Sequence, residues 1–310
     1  MFNRISPQAL EVLKALSYFH FLTNNHLVEL NVAASAHSLN AKALKELVPP
    51  RDDNGNVRSG NGRMRSKYLC NNLRFGGIKD GSGKKQVKVA YLHYLTERGR
   101  KFLYWALNDE IEALGEDFEI WIPKPNDTLS NDYFHRCNYV YAHIYLRRWA
   151  QLAGAEIDFF THYYQANPNR SELRGHPPSI NQVIWNPQKN SAATPDGLCG
   201  ITHNGKSRLF VVEMHRHTET KRVIDQLYRN MRATAAIRAK FPDYPTTNDP
   251  FVLSIYTEPT IMAAVRKRIS RNPSFAPVLK GLLFASLEDL KSGFADAWKY
   301  ADGTAVNLFR

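Results

Sequence analysis

The sequence predicts an α/β chain, α+β overall, in which a basic helical module precedes a mixed sheet flanked by helices. Three observations predict it. From residue 132 onward the apolar pattern switches between helical and strand periods in the order α-β-β-β-α-β-α-β, the succession of a mixed sheet with helices on both faces. Residues 108–131, with Pro123, Pro125, Asn126 and Asp127, break both periods and read as a linker. The charge is also lopsided. Through Lys101 the chain has 17 Lys and Arg against 7 Asp and Glu, a net of +10 out of +12 for all 310 residues, so the positive charge is expected to belong to the first module. The expected organisation is 1–107, the linker 108–131, and 132–310.

In the first module Ser6-Pro7 opens an amphipathic helix, with Leu10, Val12, Leu13 and Leu16 apolar and Glu11 and Lys14 polar. A serine cap followed by proline in the first turn is a helix start. Thr23 caps a short helix through Leu30, and Ser38 to Leu47 gives a third that stops before Pro49-Pro50. Asn71–Gly77 and Lys84–Tyr91, joined through Lys79-Asp80-Gly81-Ser82-Gly83, form a hairpin signal, and Tyr94–Arg100 leads into a helix ending at Leu107. Three helices and a hairpin make the pattern of a winged helix-turn-helix, whose third helix presents its N-terminal residues to base edges in the major groove. Here those are His37, Ser38, Asn40 and Lys42. From Arg58 to Lys101 there are 12 basic residues and only Asp80 and Glu97 as acids. Within that stretch Arg63, Arg65, Lys67, Lys84, Lys85 and Lys88 are expected on phosphates, where binding releases counterions and sets register.

The second module reads as a helix Asp132–Leu152, a strand Ile157–Tyr164, and a Pro- and Asn-rich excursion Asn167–Asn190. Strands around Gly197–Thr202 and Arg208–Glu213, a helix Glu219–Lys240, a strand Phe251–Tyr256, a helix Thr260–Ser270 and a strand Gly281–Ala285 follow. The chemistry falls on the second and third strands. Thr194-Pro195-Asp196-Gly197 bends the chain into one, and Glu213-Met214-His215 ends the next, Glu213 lying 17 positions beyond Asp196. Carboxylates at neighbouring strand ends are an oxygen cradle for Mg²⁺ or Mn²⁺, which takes one or two of them together with waters and a substrate phosphate. The next helix carries Lys221 and Gln226, with Arg222, Arg229, Arg232 and Arg238, as candidates to hold the scissile phosphate or its strand. On the preceding helix His135 shares a face with Asn138 and is a further site candidate.

That order, with Pro-Asp and then Glu-x-His, resembles the PD-(D/E)xK restriction-endonuclease-like fold. More narrowly, Tyr133-Phe134-His135-Arg136-Cys137-Asn138-Tyr139-Val140, the Thr-Pro-Asp-Gly turn, Val212–Glu219, Tyr256-Thr257-Glu258 and Ser286-Leu287-Glu288-Asp289-Leu290 resemble the plasmid replication-relaxation family, which includes MobC-type relaxases. The run Tyr94-Leu95-Thr96 with Gly99 is similar to the winged-helix domains of that family, short by one spacer residue. The resemblance covers most of the chain and rests on the order of short motifs. It implies that Asp196 and Glu213 bind the metal, and that His215 sits where a lysine stands in ordinary nucleases of this fold, or where the relaxation family often has a second acid. A neutral imidazole there could ligate metal or act as a base, and loss of the lysine equally marks a retired site.

Three functions from different classes follow. In the first, the winged helix finds a plasmid or mobile-element origin and the core nicks one strand with a divalent metal, through a metal-activated water or, as the relaxase resemblance implies, a nucleophilic side chain; the expected partners are double-stranded and single-stranded DNA and accessory mobilisation or replication proteins. In the second, the same architecture binds DNA for replication or copy control without turnover. In the third, a transcriptional regulator carries a sensing domain. Fifteen tyrosines offer stacking for single strands, but no spacing selects one as a nucleophile. Cys70, Cys137 and Cys199 match no zinc pattern and fit a reducing compartment. With no membrane-length apolar run and no signal peptide, the expected location is the cytoplasm.

Overall fold

Local capping sets the first elements. In the computed structural model, which describes residues 4–48, 68–73, 90–107, 120, 122, 133–165, 179–189, 191–216, 219–246 and 248–309, Ser6 Oγ accepts from the Ala9 amide and Pro7 occupies the first turn of α1 (Pro7–Phe19). Val12, Leu13, Leu16 and Phe19 line its buried face. In α2 (Asn24–Glu29) the cap is reciprocal: the His26 amide donates to Thr23 Oγ1 at 3.3 Å, and the Thr23 amide donates to His26 Nδ1 at 3.1 Å. The expected third helix is two short ones, α3 (Ala36–Ala41) and α4 (Ala43–Leu47). Its start lies earlier than Ser38 because Ser35 takes the cap, accepting from the Ser38 amide at 3.2 Å. The break falls at Lys42, with φ −120° and ψ −86°, and both Leu39 before it and Ala43, Leu44 and Leu47 after it are buried.

β1 (Cys70–Leu73) pairs antiparallel with β2 (Leu92–Leu95), and Leu22 bridges His93 on β2. The sequence placed the second strand at Lys84–Tyr91. The observed strand starts at Leu92, and all four of its residues are buried, so it shows no alternation to read. Most of the expected hairpin lies outside the described residues. Thr96 caps α5 (Glu97–Ala106) by accepting from the Gly99 amide, and its hydroxyl donates to the Tyr68 carbonyl at 2.7 Å. Gly99 is required here, since a Cβ would stand 2.0 Å from the Leu69 carbonyl oxygen.

The chain divides into two compact units, Met1–Val140 and Tyr141–Arg310, at a point within α6 (Tyr133–Ala153). In the second unit, a seven-stranded mixed sheet has the order β11-β10-β9-β8-β7-β6-β3. Its strands are β3 (Glu156–His162), β6 (Gly197–His203), β7 (Lys206–His215), β8 (Phe251–Tyr256), β9 (Leu282–Ser286), β10 (Trp298–Lys299) and β11 (Ala305–Val306). Inside the Pro- and Asn-rich excursion, β4 (Val183–Asn186) and β5 (Ser191–Ala193) form a separate hairpin. β7 runs antiparallel to β6 and parallel to β8, and β8 parallel to β9, through the crossovers α7 (Thr220–Ala239) and α8 (Pro259–Ser270). A short α9 (Leu287–Ser292) follows β9 behind a Ser286/Asp289 capping box.

Register sorts the strand residues onto two faces. Leu198, Val211, Val252, Tyr256, Leu282 and Phe284 join Val223, Leu227, Met231 and Ile237 of α7 and Val265 and Ile269 of α8 in one core. On α7 these apolar residues recur at helical spacing, while Lys221, Arg222, Arg229 and Arg232 are exposed. The opposite sheet face carries Phe160 stacked on His143 of α6, and Trp149 of α6 stacks on Phe309. Among the described residues no helix is long and apolar enough to cross a membrane.

Candidate active site

Gly197 pairs with Val212, so Asp196, one step before β6, stands opposite Glu213 on β7. Directly opposed residues of an antiparallel pair project to the same side of the sheet. That side is the one covered by α7, and alternation along β7 puts Val211, Glu213 and His215 on it. Both acids are buried, Asp196 at 6 % exposure and Glu213 at 0 %.

A carboxylate so deep must be hydrogen-bonded or neutral. Glu213 Oε1 accepts from Asn230 Nδ2 and Oε2 from Gln226 Nε2, each at 2.5 Å. Gln226 and Asn230 lie four residues apart on α7 and therefore share a face. The Asp196 amide also donates to the Glu213 carboxyl, while Asp196 Oδ2 accepts from the Met214 amide at 2.8 Å. Burial raises the pKa of Glu213 well above the ordinary range, and the neighbouring charge of Asp196 raises it further; the two amides and the Asp196 N–H work against that rise. Two acids close enough to repel inside a core are relieved by a proton on one of them or by a cation between them.

His215 is 2 % exposed, and its ring lies 4.9 Å from that of Tyr256, tilted by 40°. Tyr256 is fully buried, and its hydroxyl oxygen accepts from Ser254 Oγ at 2.9 Å. Ser254 is the β8 partner of Glu213 and Tyr256 that of His215, so these four belong to two adjacent rows of one sheet face. The structure thus brings together Asp196, Glu213, Gln226 and His215 of the expected set. Lys221 is exposed and lies about 140° round α7 from Gln226, at ~100° per residue. Arg222 and Arg229, four residues before and three after Gln226, share its face instead. His135 belongs to the first unit, and the cluster just described to the second.

Asn230, Asn181, Thr161 and Ser254 were missed in the sequence, and Tyr256 entered only as part of the Tyr-Thr-Glu motif. Only Asn230 left a signal there, its spacing of four from Gln226 on one helix. His217 and Thr218 lie outside the described residues, and Glu219 occupies the cap position of α7.

Of the expected DNA contacts in the first unit, His37, Asn40 and Lys42 are exposed. Asn40 Oδ1 accepts from Asn24 Nδ2 at 3.0 Å, Ser38 is engaged with Ser35, and Lys42 sits at the break between α3 and α4. Arg63, Arg65, Lys67, Lys84, Lys85 and Lys88 lie outside the described residues. The positive charge does not belong to one unit. Residues 102–140 carry 2 Lys and Arg against 8 Asp and Glu, whereas 141–310 carry 22 against 14, a net of +8 that the intervening acids masked in the overall count.

Among the described residues no group of three or more His, Cys, Asp or Glu gathers as a metal cluster. Two carboxylates are nevertheless the protein share that Mg²⁺ or Mn²⁺ requires, the remaining ligands coming from water and substrate. Burial pushes the thiols of Cys70, Cys137 and Cys199 upward, that of Cys137 to about 12, so none is a thiolate near neutrality. Comparison with family models, curated proteins and solved structures finds no match to this chain.

Proposed function

We propose that this chain binds DNA through a winged-helix first unit and nicks one strand at the Asp196/Glu213 site with Mg²⁺ or Mn²⁺, in the manner of a restriction-endonuclease-like relaxase acting at a plasmid or mobile-element origin. One observation carries the reading: two buried acids in register across β6 and β7, with the inner one held by two amides of the following helix. Asp196 and Glu213 would hold the cation, which when bound supplies Lewis-acid polarisation of the phosphoryl oxygen and charge to activate water. Gln226 and Asn230 orient Glu213, and Arg222 and Arg229 stand beside them for the phosphates. Tyr256, which packs on His215, is a poor nucleophile, being fully buried with its hydroxyl engaged by Ser254. In the first unit, the antiparallel β1–β2 pair bridged by Leu22 from between α1 and α2 supports the winged-helix reading.

The test is conversion of supercoiled plasmid, carrying the DNA that flanks the coding sequence, to open circles with Mn²⁺ or Mg²⁺. Wild type is expected to nick, while Asp196→Ala and Glu213→Ala fall by about a hundredfold or more and still retard the DNA on a gel. If wild type retards DNA as well as the variants and relaxes none of it, the protein binds without cutting. That second reading is favoured by His215, a histidine packed on Tyr256 where a nuclease lysine would stand.

A further inference from the structure

We propose that Asn181 is a positioning residue for Asp196, locking the turn that presents this acid. The inference rests on the reading of Asp196 as a metal ligand. Asn181 lies just before β4, in a stretch whose composition reads as loop, yet it is 0 % exposed. Its Oδ1 accepts from Thr161 Oγ1 at 2.7 Å, and its Nδ2 donates to the carbonyls of Pro195 at 3.1 Å, Asp196 at 3.3 Å and Thr161 at 3.4 Å. The amide thus fills the end of the β3–β6 ladder, where His162 pairs with Gly197 and the Tyr163 amide makes the last bond to the Asp196 carbonyl at 2.9 Å.

The chemistry of this position calls for an amide. One end faces a hydroxyl donor and the other faces carbonyl oxygens, so the group must accept on one side and donate on the other. Aspartate would set a carboxylate oxygen against those carbonyls, and alanine would remove this buried donor from the Pro195 carbonyl and leave the Asp196 carbonyl to the Tyr163 amide. Asn181 is itself anchored. Its amide donates to Ser179 Oγ at 3.1 Å, the Ile180 amide donates to the Gln165 carbonyl at 2.7 Å, and Lys240 Nζ donates to the Ile180 carbonyl. With its carbonyl held by Asn181 and Tyr163 and its Oδ2 by the Met214 amide, Asp196 has one orientation, turned toward Glu213.

The test compares full-length wild type with Asn181→Ala, Asn181→Asp and Thr161→Val by amide hydrogen exchange and by Mn²⁺ titration of the thermal midpoint. In Asn181→Ala the Met214 amide, whose acceptor is Asp196 Oδ2, is expected to exchange at least about tenfold faster, while the amides of Leu282–Ser286 keep wild-type rates. The Mn²⁺ concentration for half-maximal stabilisation is expected to rise by about tenfold or more, the usual effect of losing a residue that orients a ligand. Asn181→Asp should match the alanine variant, and Thr161→Val, which spares the Nδ2 bonds, should stay near wild type. Wild-type Met214 exchange and an unchanged Mn²⁺ response in Asn181→Ala would overturn the proposal. If wild type shows no Mn²⁺ response but the variant still frees the Met214 amide, the metal reading falls and the positioning role stands.

Discussion

The raised pKa of Glu213 predicts a stability that depends on pH and, on the proposed metal reading, on cations. Its folded pKa is raised, first by burial and then by the charge of Asp196. A raised acid contributes stability that is fully present below the ordinary glutamate value near ~4.3, and loses it as pH climbs through the folded value. The metal-free protein is therefore expected to lose thermal stability between pH 5 and 8, and Glu213→Gln to lose much less. Mn²⁺ at one hundred times its Kd should return about 2.7 kcal/mol at pH 8, and little at pH 5, where the proton competes for the site. Melting curves in EDTA and in Mn²⁺ across that range check this. Parallel curves for wild type and Glu213→Gln in EDTA would refute the assignment.

At the level of elements, the reciprocal cap of α2 is also a link. His26 Nδ1 accepts from the Thr23 amide, which leaves Nε2 carrying the proton donated to the Cys137 carbonyl of α6 at 3.1 Å. Burial lowers the pKa of His26 to about 3. The stability it contributes is present above the ordinary value near ~6.5 and is lost as pH falls toward the folded value, at about 1.4 kcal/mol per unit. Glutamine at this third helical position still completes a capping box but does not titrate. His26→Gln should be less stable than wild type at pH 7 and nearly flat from pH 7 to 5, as read by urea midpoints; an equally acid-sensitive variant would remove His26 from the account. These elements also show what the sequence could reveal. The strand Phe251–Tyr256 was legible to the residue and α7 to within one at each end, because long apolar runs and amphipathic helices carry their period along the chain. β4, β5 and the two-residue β10 and β11 were not, since three or four residues hold no period and their pairing is tertiary. The same contrast holds in the site. Asp196 and Glu213 stood out as acids beside apolar strands, whereas Asn181 looked like any asparagine in a Pro/Asn-rich run until Pro195 and Asp196 were folded against it.

For the whole molecule, charge is the property that the two units share and that the total conceals. With +10 through Lys101, 8 acids against 2 bases in residues 102–140, and +8 in 141–310, two basic regions flank an acidic one. On α7, Arg222 and Arg229 lie about 40–60° round from Gln226 on its exposed side, away from Asn230, which is where the phosphates of a strand approaching Glu213 from outside would need partners. Each phosphate neutralised contributes roughly 0.9 to the slope of log K against log salt on duplex DNA, and about 0.7 on a single strand. Arg222→Ala with Arg229→Ala should therefore lower the magnitude of that slope by about 1.4 to 1.8, and Lys221→Ala, off that face, by less than one such step. Removing Lys42 from the first unit should subtract independently, because contacts made by separate groups add. The measurement is DNA affinity by anisotropy from 50 to 200 mM salt in EDTA, so that cleavage does not intervene. A slope unchanged by the double arginine variant would confine DNA binding to the first unit and leave the acid pair without a substrate at its door.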